Sequence, residues 1–161
     1  MKLRILMIAC CVLLPAASVF AQTAPDKAPD VTTDLRSGFD EVNGWVTKAA
    51  EMVPADKYSY RPVDTVRTFG QIIAHITDSY NFFCARGAGN KVEYSDAVEK
   101  GATDKDTLLP KLKEAVGRCN AAYSSTNPQL RPLFNNVSHT SLHYGNIITY
   151  MRMLGMKPPS S

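Results

Sequence analysis

"TFGQIIAHITDSYNFFCARG", Thr68 to Gly87, is the stretch that sets the fold. Thr68 and Gln71 form a T-x-x-Q capping box, in which each side chain answers a backbone N–H that the first helical turn leaves unpaired. Behind it Phe69, Ile72, Ile73, Ile76, Tyr80, Phe83 and Cys84 recur at helical spacing, and Gly87 ends the run. That period is the mark of a helix with one buried stripe. His75 lies among the isoleucines of this stripe, where an unpaired imidazole carries a desolvation cost.

Working outward, the same 3.6-residue period appears three more times. Val31, Leu35, Phe39, Val42, Val46, Ala49 and Val53 line one side of a first helix that Pro54 ends. Leu108, Leu112, Ala115, Val116, Cys119, Ala122 and Tyr123 line a third, and Pro110 predicts a first turn near Asp106, since proline is tolerated close to a helix start. The fourth is predicted to begin near Pro132 and to close at Gly155, with Pro158 and Pro159 beyond. Four helices and no convincing strand predict an all-α four-helix bundle. "PADKYSYRPVDTVR", Pro54 to Arg67, is a connector without a clear period. Its "YSYRP" segment reads either as loop packing or as a lid over one end of the bundle.

The chain's first residues stand apart from this pattern. "MKLRILMIACCVLLPAASVFAQ" has basic Lys2 and Arg4, an apolar run from Ile5 to Leu14, and small residues at Val19 and Ala21, the layout of a secretory signal peptide over residues 1–21. A membrane anchor needs about 20 apolar residues, and Pro15 follows a shorter run. Residues 22–30, rich in Pro, Ala and charge, read as a disordered leader, and residues 31–161 as the bundle. The expected location is therefore secreted or periplasmic, with no membrane attachment after cleavage. Of 18 basic residues, 16 remain once Lys2 and Arg4 are removed, against 15 acidic ones. So balanced a chain has no basic stripe to attract a nucleic acid.

Two cysteines remain after residue 21, Cys84 and Cys119. In an oxidising compartment an even pair reads as a disulfide, the other reading being two buried thiols. A bridge also orders the helices. If helices two and three ran antiparallel, Cys84 would lie far from Cys119; if parallel, the two sit at similar heights. The long linker from Gly87 to Ala102 then becomes a crossover, and the topology is up-down-down-up.

In that topology the chain's three histidines converge. His139 and His143 are four residues apart on helix four and share a face, and His75 sits on helix two. Three imidazoles from two helices supply three ligands to a divalent ion and leave a position open for water or substrate. The competing reading makes each ring a satisfied core residue. "HTSLH" lacks the glutamate of H-E-x-x-H, so a zinc protease is not indicated. Asp78, three residues after His75, and Asn146 and Tyr150, three and seven after His143, are candidates for the surrounding polar shell. Each has a plainer reading as a cap, an interhelical hydrogen bond or packing.

With "RPVDTVRTFGQIIAHITDSYNFF" around His75, and "HTSLHYGNIITYMRMLGMKPP" around His139 and His143, the chain resembles the DinB-like superfamily from about Asp34 to Pro159. The resemblance implies a four-helix bundle of up-down-down-up type, often a homodimer, whose three histidines, here His75, His139 and His143, bind a divalent ion such as nickel or zinc. Joined to the signal-peptide reading, it gives an exported metal-binding protein acting on a small molecule. That protein is either a metal-dependent hydrolase or transferase, or a binding or dimerisation module without turnover.

Overall fold

The computed structural model describes residues 30–101 and 103–161. The signal-peptide reading of residues 1–21 and the leader reading of 22–29 lie outside the described residues. Asp30, counted above with the leader, belongs to the first helix as its N-cap: its side chain accepts from Thr32 N. Four helices follow in order, α1 Val31–Met52, α2 Phe69–Gly87, α3 Lys105–Tyr123 and α4 Leu130–Met153, with a short 3₁₀ turn at Ala55–Lys57.

The helix boundaries follow from local chemistry. Thr68 caps α2 through the full capping box, Gln71 N to Thr68 Oγ1 at 3.1 Å and Thr68 N to Gln71 Oε1 at 2.9 Å. α4 ends in a Schellman motif: Met156 N reaches Met151 O at 2.8 Å and Gly155 N reaches Arg152 O at 3.0 Å, with Gly155 at φ +73°. Glycine adopts that left-handed backbone without a Cβ penalty.

Two predicted starts move. α4 begins at Leu130, so Pro132 is its third residue, where a missing N–H removes nothing. α3 begins at Lys105, one residue before the expected Asp106, behind the cap Asp104, which puts Pro110 sixth. The hydrogen bond lost there would have gone to the carbonyl of Asp106, an exposed residue with water to replace it.

The helices run up-down-down-up. Cys84 and Cys119, fifteen residues or so into α2 and α3, are joined by a disulfide with Cα atoms 4.9 Å apart, which makes the two helices parallel. A Cβ on Gly87, at the end of α2, would strike Leu133 at the start of α4, so those two are antiparallel. Trp45 stacks on Tyr144 at 5.3 Å, so α1 and α4 run together. In the core Phe39 packs between Tyr80 and Tyr123, ring centroids 5.5 and 4.6 Å away.

A parallel α2–α3 pair obliges the chain to travel back along the bundle. Residues 88–104 do so beside α2, from its end to its beginning. At the lower end the crossover presses against Gly70, where a Cβ would collide with the carbonyl oxygen of Thr103 and meet that of Tyr58 at 3.1 Å. Midway, both carboxylate oxygens of Asp78 accept crossover amides, Val98 N at 3.1 Å and Glu99 N at 2.9 Å. The return path thus passes directly over the exposed side of His75.

Candidate metal centre

His75 stands on the second turn of α2, and His139 and His143 on consecutive turns of α4. With Gly87 opposite Leu133, His75 is level with about residue 145, roughly one turn past the midpoint of the other two. Side-chain reach closes that gap. The ring centroids of His75 lie 5.1 Å from His139 and 4.7 Å from His143, and those of His139 and His143 lie 4.5 Å apart. One ring nitrogen from each residue falls within 4.8 Å of the other two.

The nitrogens that meet are Nε2 atoms. His139 Nε2 is 3.2 Å from His75 Nε2 and 3.2 Å from His143 Nε2. A tetrahedral ion with 2.0–2.1 Å bonds to nitrogen sets its ligands about 3.3 Å apart, so two edges of the triangle already match. Lone pairs facing one another across such distances repel unless a proton or a cation sits between them. Burial, with the charges of neighbouring imidazoles and Arg67 next, pushes His139 and His143 down to about 4, so both rings are neutral and each has one nitrogen free of a proton to turn toward a cation. Neutral rings with converging lone pairs are what a divalent ion requires. The donor set therefore fits a metal.

The three ligands are not held alike. His139 Nδ1 and His143 Nδ1 are buried without a hydrogen-bond partner among the described residues. His75 Nδ1 lies 2.9 Å from Glu99 Oε2 and 3.2 Å from the Tyr94 hydroxyl, both on the crossover. Glu99 is in turn gripped by Arg67 through Nε on one oxygen and Nη2 on the other, the latter at 3.4 Å. Burial raises the affinity of the Glu99 carboxyl for a proton, but the Arg67 hydrogen bond and charge, with His75 behind them, outweigh it and hold Glu99 below the ordinary carboxylate range. Glu99, held as an anion, can accept from His75 Nδ1 and cannot donate to it.

The predicted surrounding residues divide. Asp78 is only 3 % exposed and binds the amides of Val98 and Glu99, so it braces the crossover and makes no hydrogen bond to the imidazoles. Its burial raises its proton affinity, and the two backbone bonds pull it back in part. Tyr150 donates to the carbonyl of Arg67 at 2.8 Å and fixes the loop that carries that arginine. Asn146 is exposed and lines, with His143, Arg67, Glu99 and Tyr150, a cavity of about 510 Å³ that reaches the histidine cluster at His143. The "YSYRP" segment is packed rather than free to close: Tyr58 is buried, its hydroxyl 2.6 Å from Ala50 O, and Tyr60 meets Tyr150 edge-on at 5.9 Å. Glu99, Arg67 and Tyr94 were not foreseen, because connectors carry no period from which an inward direction can be read.

Comparison with known proteins bears on the family and the fold. The model of a family described as the DinB superfamily matches residues 39–149, which include all three histidines and the bridged Cys84 and Cys119. Among solved structures, a DinB-like protein from Bacillus cereus ATCC 10987 aligns with a TM-score of 0.64 at 16% identity, over 79% of this chain and 95% of that one. At that identity the likeness speaks to the fold. No curated protein matches the chain.

Proposed function

This chain belongs to the DinB superfamily, and on that premise we propose that it is an exported metalloprotein whose centre is a divalent ion, nickel or zinc, held by His75, His139 and His143. The observation that carries the proposal is the convergence of three Nε2 atoms from two helices beside a cavity of small-molecule size. The function we assign is metal-dependent hydrolysis or group transfer on a small molecule. When bound, the ion supplies Lewis acidity at the floor of that cavity. The protein's own groups divide the remaining work: Asn146 and Tyr150 line the approach, and Arg67 sets positive charge at the rim. Export is supported by the charge and hydropathy pattern of residues 1–21 and by the disulfide, which persists in oxidising compartments.

A second reading, a module that holds a metal or ligand without turnover, has one observation in its favour. The two carboxylates nearest the histidines are engaged, Glu99 with His75 and Arg67, and Asp78 with backbone amides. Neither is free to act as a general base. The deciding experiment reloads metal-free protein with nickel or zinc and screens it against ester, amide, phosphoester and thiol-transfer substrates. Turnover that appears with metal and vanishes in His143→Ala supports the enzyme. A melting temperature raised by metal, with no turnover on any substrate, supports the module.

A further inference from the structure

We infer that Glu99 is a positioning residue for the metal centre: its carboxylate fixes His75 in the Nδ1–H tautomer and so presents Nε2 to the ion. The inference rests on the metal reading above and adds to it a residue outside the histidine set. A neutral imidazole carries one proton, and only the nitrogen without it can bind a metal. A carboxylate behind the ring decides the choice, because an anion accepts a hydrogen bond and cannot donate one.

The arrangement behind Glu99 shows that it is built for this. Three elements hold it in place. Asp78 on α2 takes the Glu99 backbone amide at 2.9 Å, Arg67 on the connector clamps the carboxylate, and Tyr150 on α4 holds the Arg67 carbonyl at 2.8 Å. α2 contributes one histidine to the centre and α4 two, and each also contributes a support, direct or through Arg67, to Glu99. The buried ends of the pair agree: the side chains of His75 and Glu99 are 14 % and 17 % exposed, against 43 % for Arg67. An interaction meant only to fasten a loop would not need its anion turned inward onto an imidazole.

Glu99 also breaks the equivalence of the three rings. His139 and His143 have no partner at Nδ1 among the described residues, so no hydrogen bond behind the ring fixes their tautomer. His75 is oriented by a hydrogen bond carried on the crossover. Metal affinity is thereby tied to the seating of residues 88–104: if the crossover lifts, one ligand loses its fixed tautomer.

The test uses the chain's low histidine content. Metal-free protein labelled with ¹⁵N in histidine shows three imidazoles, assigned through His139→Asn and His143→Asn, and long-range ¹H–¹⁵N spectra report each tautomer. In the wild type His75 is expected as Nδ1–H. In Glu99→Ala it is expected to populate both tautomers, and the dissociation constant for zinc, from competition with a chromophoric chelator, to rise 10–100-fold. Glu99→Gln keeps an acceptor and should lie nearer the wild type on both readouts. Lys100→Ala, which breaks the exposed Asp96–Lys100 pair one residue away, should change neither.

Glu99→Ala binding zinc within twofold of wild type, with His75 still Nδ1–H, would overturn the inference and leave Glu99 a fastener of the crossover. Wild-type protein that takes up no zinc or nickel would instead overturn the metal reading. The tautomer spectrum of the metal-free protein would still decide what Glu99 does to His75.

Discussion

Reducing the Cys84–Cys119 bridge should lower stability by an amount the connectivity sets. The bridge closes a loop with a sequence separation of 35. In the chain-entropy account this removes about 13 cal/mol/K from the unfolded ensemble, or about 3.8 kcal/mol at 25 °C. The 4.9 Å Cα separation is within the range a disulfide spans without moving the backbone, so little of that is returned as native strain. A folded unit of about 130 residues unfolds with an entropy near 0.27 kcal/mol/K, which turns the loss into a fall in Tm of about 14 °C. Both sulfurs are buried, so reduction is best done in denaturant, followed by refolding with reductant present. Far-UV circular dichroism then compares the melts of two proteins with identical side chains. A fall of less than about 3 °C would refute the argument. So would a loss of bound metal in the reduced protein at 25 °C, since the bridge joins α2 to α3 while the histidines are on α2 and α4.

Other outcomes follow from single contacts. Gly70→Ala should cost about 1–3 kcal/mol in urea unfolding, because its methyl meets two backbone carbonyls, those of Thr103 and Tyr58, that no rotamer change can move aside. Thr68→Ala removes half of the capping box and should cost about 1 kcal/mol by the same measurement. For the metal-free protein, His139 and His143 have native pKa values of about 4 against about 6.5 when unfolded. The unfolded chain therefore binds more protons between those values. Their contribution to stability is full above about pH 6.5 and is lost as pH falls through about 4. Urea melts at pH 7 and 4.5 should show a smaller decline in a His139→Gln/His143→Gln variant than in wild type.

Much of the fold can be read from short-range signals. The capping box at Thr68, the stripe behind it and the glycine at 155 each fix a backbone event within a few residues, and the structure places them where the pattern does. The pair Cys84 and Cys119 supplied long-range information, since a bridge between two helices at matched heights sets their relative direction. The start of α3 falls one residue before the expected Asp106, because the depth at which Pro110 is tolerated depends on whether the orphaned carbonyl meets water, which the sequence does not state. Asp78 illustrates another limit. Its position three residues after His75 is legible, but what it faces depends on the path of the crossover.

Glu99 is the same case in stronger form. α2 is 19 residues long, about 28 Å at 1.5 Å per residue, so a chain returning beside it must pass His75 late in its course. That much can be reasoned from length. Which of Glu93, Asp96 and Glu99 meets the ring depends on turns within residues 88–104 that have no periodic signature.

The central claim is that His75, His139 and His143 grip one ion together. Elemental analysis of protein purified from its native compartment, beside His75→Ala and His143→Ala, tests it most directly. One nickel or zinc per wild-type chain, with little left in each variant although both still melt cooperatively, is the predicted result. Equal metal content in all three proteins would contradict it.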